Sequence, residues 1–208
     1  MKSTSSVTSR SAPEAQLAAI SDAVATILAA LGEDTSRPGL AETPTRVAAT
    51  LRELFGGVGV DASQPLRSTF PAQSNDLIAV SCIPISSLCE HHLLPFRGLA
   101  HVAYMPSDLV TGFSKFEQSL SILAARPQLQ ENVTREFAEA IDASLTPRGV
   151  LVVLECEHDC VAMRGQRTRG VISSTSYGLG ELATGVLRAE ALAMFRGGSR
   201  GPDDVGRR

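Results

Sequence analysis

Residues 77–105 read LIAVSCIPISSLCEHHLLPFRGLAHVAYM, and the reading of this stretch decides the fold. Leu77 to Ile85 is rich in β-branched residues and Leu99 to Met105 forms a second short apolar run. Between them stand Cys89-Glu90-His91-His92 and the bend Leu94-Pro95-Phe96-Arg97-Gly98. Two strands are therefore predicted, joined by a connection that carries the most reactive side chains of the region.

Upstream the periodicity is helical. Residues 1–12 are rich in Ser and Thr without apolar spacing and are predicted to be a disordered tail. Ser11-Ala12-Pro13-Glu14 fits a capping box, and Leu17, Ile20, Val24, Ile27, Leu28 and Leu31 follow at intervals of three and four until Gly32. Thr43-Pro44 opens a second helix with the stripe Val47, Leu51, Leu54 and Phe55, stopped by Gly56-Gly57. Residues 13–65 thus read as a helical hairpin whose stripes are too broad to be buried by each other alone.

Downstream, helices are predicted from Ser114 to Ala125 and, after Arg126-Pro127, to about Leu145, where Leu129, Val133, Phe137, Ile141 and Leu145 recur in fours. Strands follow at Val150–Leu154 and Val171–Tyr177, then a last helix at about Leu182–Phe195. The order within residues 66–196 is β-β-α-α-β-β and then α, which predicts an α+β domain with an antiparallel sheet and helices on one face. Residues 197–208 read as a flexible Gly/Arg/Asp tail.

Composition narrows the function. A chain of 208 residues with 43% hydrophobic content can bury one core without disulfides. A net charge of −3 and no basic stripe argue against nucleic acid. No apolar run reaches the length of a membrane span, and Asp22 interrupts the one N-terminal stretch that resembles a targeting segment. Four cysteines, two of them beside histidines, point to reduced thiols in a cytoplasmic setting with one or two committed to metal. Cys82 and Cys156 are expected to be small buried hydrophobes in strands.

Cys89 and His92 form a C-x2-H half site, and the nearest comparable cluster is Cys156-Glu157-His158-Asp159-Cys160. Cys160 as third ligand gives a Cys2His set with an open position, as a catalytic zinc centre has. The competing reading is a four-ligand structural site completed by Cys156 or His158. In an extended strand Cys156 would lie roughly 13 Å from Cys160, at about 3.3 Å per residue, which argues against Cys156. His91 and His158 remain beside the metal as groups suited to proton transfer near neutral pH. His101, without polar company in its strand, reads as structural. Ser114-Lys115 at a helix start and Arg164 after a turn suit phosphate oxygens. Gln130-Glu131 reads, on its own, as an exposed mid-helix pair.

Taken together, Cys89-Glu90-His91-His92-Leu93-Leu94-Pro95-Phe96, Gly112-Phe113-Ser114-Lys115, Arg126-Pro127-Gln128-Leu129-Gln130-Glu131 and His158-Asp159-Cys160 followed by Met163-Arg164-Gly165 strongly resemble GTP cyclohydrolase I. The resemblance spans about residues 14–195 and includes Glu42-Thr43-Pro44-Thr45-Arg46. It implies the tunnelling fold, in which sheets of neighbouring subunits close into a barrel, and a homodecamer of two pentameric rings with active sites between subunits. It implies Zn2+ on Cys89, His92 and Cys160, His91 and His158 as catalytic histidines, and Gln130 and Glu131 holding the guanine ring, which replaces the surface reading of that pair. Ser114, Lys115 and Arg164 match positions that contact the triphosphate. The implied reaction is hydrolysis and rearrangement of GTP to 7,8-dihydroneopterin triphosphate with release of formate, a step of pterin and tetrahydrofolate biosynthesis. In it His158 would protonate N7 while water attacks C8, and Glu131 would accept from N1 and the exocyclic amine, a pattern adenine lacks.

One position departs from the family pattern. Where the family has an arginine four residues after the helix-start serine, this chain has Gln118, next to Glu117. Loss of a charge-assisted contact of about 1.5–3 kcal/mol would weaken triphosphate binding roughly tenfold or more, unless Arg46, Arg126 or a neighbouring subunit substitutes. The alternative expectation is therefore a non-catalytic or altered-substrate homologue that takes a different phosphorylation state of the nucleotide.

Overall fold

The computed structural model describes residues 12–198, so the expectations for the two chain ends, Ser11 of the capping box included, lie outside the described residues. The chain divides into two compact units, parting between Phe55 and Gly56. The first holds α1 (Ala12–Ala30) and α2 (Thr43–Leu54), packed as the expected hairpin. Pro44 lies in the first turn of α2, where its missing N–H costs nothing, although no side chain caps that end. Ile27 and Leu31 remain exposed, in keeping with stripes broader than the hairpin can bury.

The unit boundary falls before residue 65 because the segment after α2 belongs to the sheet. Leu66, on a 3-10 turn, is fully buried in the main core, and Gly57 donates its N–H to Ala125 O at 2.7 Å. A Cβ on Gly57 would stand 2.0 Å from Ile122 O, so only glycine permits that approach.

The second unit contains β2 (Ile78–Cys89), β3 (Pro95–Met105), α3 (Phe113–Ala124), α4 (Gln130–Leu145), β6 (Gly149–His158), β7 (Ile172–Gly180) and α6 (Gly185–Gly198). It also has the short ribbon of β1 (Thr69–Pro71) and β4 (Leu109–Thr111), the two-residue β5 (Pro127–Gln128) and the single-turn α5 (Asp159–Ala162). The main sheet runs β5-β2-β3-β6-β7, antiparallel except for the parallel pairing of β5 with β2. This is the predicted β-β-α-α-β-β order of an α+β domain.

Side-chain alternation along the strands divides the core. Val102, Tyr104, Val150 and Val152 pack with Phe116, Leu120, Phe137 and Ile141 of α3 and α4, on the face the element order assigns to helices. Ala103, Met105 and Leu151 point the other way and pack with Leu182, Ala191 and Phe195, so the terminal helix α6 takes the opposite face. That second apolar face explains why β6 reads as a solid apolar run.

Two strands are longer than predicted, and both extensions carry chemistry. β2 continues to Cys89 and β6 to His158, because cross-strand pairs with β3 persist beyond the apolar runs, as far as Leu88 with Pro95 and Phe96 with His158. Cys156 is fully buried, as expected, and burial pushes its thiol up to about 12. Cys82 is only half-buried, at a bulge where the β2–β3 register shifts and its φ is +62°. Among the described residues no helix is long and apolar enough to cross a membrane.

Candidate metal centre and active site

Cys89 ends β2, and the chain returns to β3 through residues 90–94. Leu93 N–H donates to Cys89 O at 2.8 Å and Cys89 N–H to Leu94 O at 2.9 Å, with Leu93 at a φ of +53°. This tight loop places His92 back over Cys89. Glu90 N–H donates to Gln128 O, tying the loop to β5.

Cys160 arrives from the far side of the sheet. β6 pairs with β3 up to His158, and the single turn of α5 then swings Cys160 towards Cys89. Arg97 of β3 and Asp159 of α5 form an ion pair that holds this turn to the sheet. One ligand atom from each of Cys89, His92 and Cys160 lies within 4.8 Å of the others. Two sulfurs and an imidazole nitrogen gathered that closely fit a single metal ion. Burial first, and then the Cys89 thiol, push the Cys160 thiol up, so a metal ion must displace that proton on binding. Cys156 and His158 are outside the group, which fits three protein ligands rather than four.

Arg164 Nη1 lies 3.0 Å from His92 Nε2. A guanidinium only donates, so Nε2 of His92 is the acceptor in this contact. Glu157 accepts from Gly170 N–H at 3.0 Å and anchors the loop that carries Arg164. His91 is exposed, its ring 6.2 Å from that of His92.

His158 stacks on Phe96 with ring centroids 4.9 Å apart and planes 14° from parallel. Its Nε2 is 2.7 Å from Gln130 Oε1. Burial lowers its pKa, and the Glu131 carboxylate raises it part of the way back. A cavity of about 210 Å³ opens beside it, lined by His158, Val161, Thr168, Val171 and Ser173.

Gln130 and Glu131 are not mid-helix residues. Pro127 and Gln128 are drawn into β5, so α4 begins at Gln130 and both stand in its first turn, Gln130 buried and Glu131 exposed. Ser114 and Lys115 open α3 as predicted, and Lys115 Nζ donates to Gln118 Oε1 at 3.1 Å. Among the described residues, neither Ser114 nor Lys115 bonds to the Cys89–His92–Cys160 group within the chain. His101 is structural in its setting: buried, it accepts weakly from Cys82 N–H, and Glu155 is its nearest ionic partner at 3.8 Å. Sequence reasoning missed Phe96, Asp159 and Glu157 as supports of the site, although all three lie inside or beside the motif residues.

Comparison with known proteins decides the family. Residues 20–196 match the family model described as GTP cyclohydrolase I. The chain belongs to the GTP cyclohydrolase I family. As a member of that family it is a hydrolase. It is 46% identical over 176 residues to GTP cyclohydrolase 1 of Mycobacterium leprae, covering 83% of this chain and 86% of that one. With GTP cyclohydrolase 1 of Carboxydothermus hydrogenoformans the identity is 49% over 175 residues, 83% of this chain and 91% of the relative. With that of Leifsonia xyli it is 47% over 180 residues, 86% and 94% of the two chains.

Proposed function

We propose that the protein hydrolyses and rearranges GTP to 7,8-dihydroneopterin triphosphate, releasing formate. The observation that carries this reading is the convergence of Cys89, His92 and Cys160 beside His158 in a GTP cyclohydrolase I family chain. The donor set, two sulfurs and an imidazole, suits zinc. Zinc held there would supply Lewis acidity and bring the pKa of a water towards neutrality.

The chain's own residues then divide the work. His158 moves the proton at guanine N7, and His91 is the second proton-handling group at the metal. Glu131 accepts from guanine N1–H and the exocyclic amine. Gln130 stands next to it at the same helix start. Arg164 meets phosphate oxygens from the metal side, and Ser114 and Lys115 meet them from the start of α3.

A homo-oligomer, by family expectation a decamer, completes the site. Among the described residues no hydrogen bond or ion pair joins Ser114 or Lys115 to the metal group, and β7 and the first part of β2 are sheet edges that a second copy can pair. The reduced thiols of Cys89, Cys156 and Cys160 suit a reducing, cytoplasmic setting.

Incubating the zinc-loaded protein with GTP tests the reading. Formate and, after oxidation, a fluorescent neopterin are expected; metal-bound protein that yields neither product overturns it.

A further inference from the structure

Gln130 is 2% exposed, and its carboxamide is surrounded by groups of known polarity. Nε2 lies 3.0 Å from Leu154 O, 2.9 Å from Ser173 O and 3.1 Å from Thr175 Oγ1. Two of these are backbone carbonyls, which only accept, so the nitrogen must occupy that end; a flipped amide would press its oxygen against both. Thr175 fits the same assignment. Thr134 spends its one hydroxyl proton on Gln130 O at 2.7 Å, so the 2.6 Å bond between the two threonines is donated by Thr175. Thr175 then has a lone pair for the Gln130 amide.

Oε1 of Gln130 is left facing His158 Nε2 at 2.7 Å. A carboxamide oxygen has no proton to give, so Nε2 carries one, and in the neutral ring the lone pair falls on Nδ1. Phe96, stacked on the other part of the site, holds the plane of the ring. Nδ1 has no hydrogen-bond partner among the described residues.

We propose that Gln130 is a positioning residue that locks His158 in its Nε2–H tautomer, so that Nδ1 is the nitrogen His158 presents to substrate. The part that concerns substrate rests on the proposed reading of His158 as the group that protonates N7. For that step Nδ1 first takes a proton from water, giving the imidazolium; the Nδ1–H bond then breaks, its electron pair stays on Nδ1, and an N7–H bond forms. What remains is the Nε2–H imidazole, the tautomer Gln130 already accepts from, so the ring needs no reorientation. Gln130 therefore acts through His158 and leaves recognition of the base to Glu131.

The tautomer is read directly from the imidazole nitrogens of the uniformly 15N-labelled, zinc-loaded protein, with His158 assigned by loss of its signals in His158→Gln. A pyrrole-type Nε2 and a pyridine-type Nδ1 are expected for neutral His158; the reverse pattern overturns the proposal whether or not the protein turns over GTP. Gln130→Met, which keeps the bulk and removes the acceptor, should mix the two tautomers and lower kcat by about 10- to 100-fold with KM little changed. A raised KM at unchanged kcat would make Gln130 a base-holding residue and would also overturn it. Failure of wild-type turnover alone would strike the proposed function, while the tautomer measurement would still decide the role of Gln130.

Discussion

At the scale of single residues, the two clusters separate into groups with different work. Cys160 on α5 is half-buried at the metal group, while Cys156, four residues earlier on β6, is fully buried in the core. Cys160→Ser should therefore abolish zinc retention and activity together, read by metal analysis and product assay. Cys156→Ala should keep the zinc and cost about 1 kcal/mol of stability, the scale of one small buried group. His101 carries a pH dependence. Burial holds its pKa below 6.5, so the unfolded chain binds the proton more readily than the folded one. Its contribution is complete above about pH 6.5 and is lost as pH falls through the lowered folded value. His101→Gln should flatten the loss of urea midpoint between about pH 7 and pH 5; an unchanged slope would assign that loss to other groups. At the start of α3, Gln118 takes one of Lys115's hydrogen bonds and offers no charge of its own. Gln118→Arg should lower the KM for GTP roughly tenfold, the worth of a charge-assisted contact, and should do so less for GMP.

At the scale of elements, the site depends on the close seam between β3 and β6. Gly98 faces Cys156 across it, and a Cβ there would stand 1.9 Å from Glu155 O and 2.7 Å from Cys156 Cα. Both obstacles are backbone, so the strands must part to admit even a methyl group. Gly98→Ala should destabilise by about 1–3 kcal/mol, seen as a lowered Tm. The parting would come next to Phe96 and His158, so kcat should fall as well. Pairing also sets the element boundaries. Apolar content predicts where β2 and β6 begin, but pairing with β5 carries β2 on to Cys89 and pairing with β3 carries β6 on to His158, residues whose types favour no strand.

At the scale of the whole molecule, one chain presents a sheet with edge strands, and among the described residues no hydrogen bond or ion pair joins Ser114 or Lys115 to the Cys89–His92–Cys160 group. In solution the mass should be a multiple of the 21.9 kDa chain, measured by light scattering. A monomer with full turnover would show that Ser114 and Lys115 are not needed from a second copy.

The sequence by itself determined the element order, the three metal-suited residues and the family, because ligand types, helix and strand periods and motif spacing are local properties of a chain. It also marked Gln118, a departure visible only as a residue type. The tertiary structure decided what depends on neighbours distant in sequence. It put α6 on the second face of the sheet, carried Cys160 to Cys89 across the β3–β6 seam, and set Gln130, a surface position by residue pattern alone, in a buried ring of hydrogen bonds with Leu154, Ser173, Thr175 and His158. Polarity patterns predict burial by residue type and count a glutamine as solvated. Only the packed fold shows which polar groups have found partners, and so which face of His158 is left for chemistry.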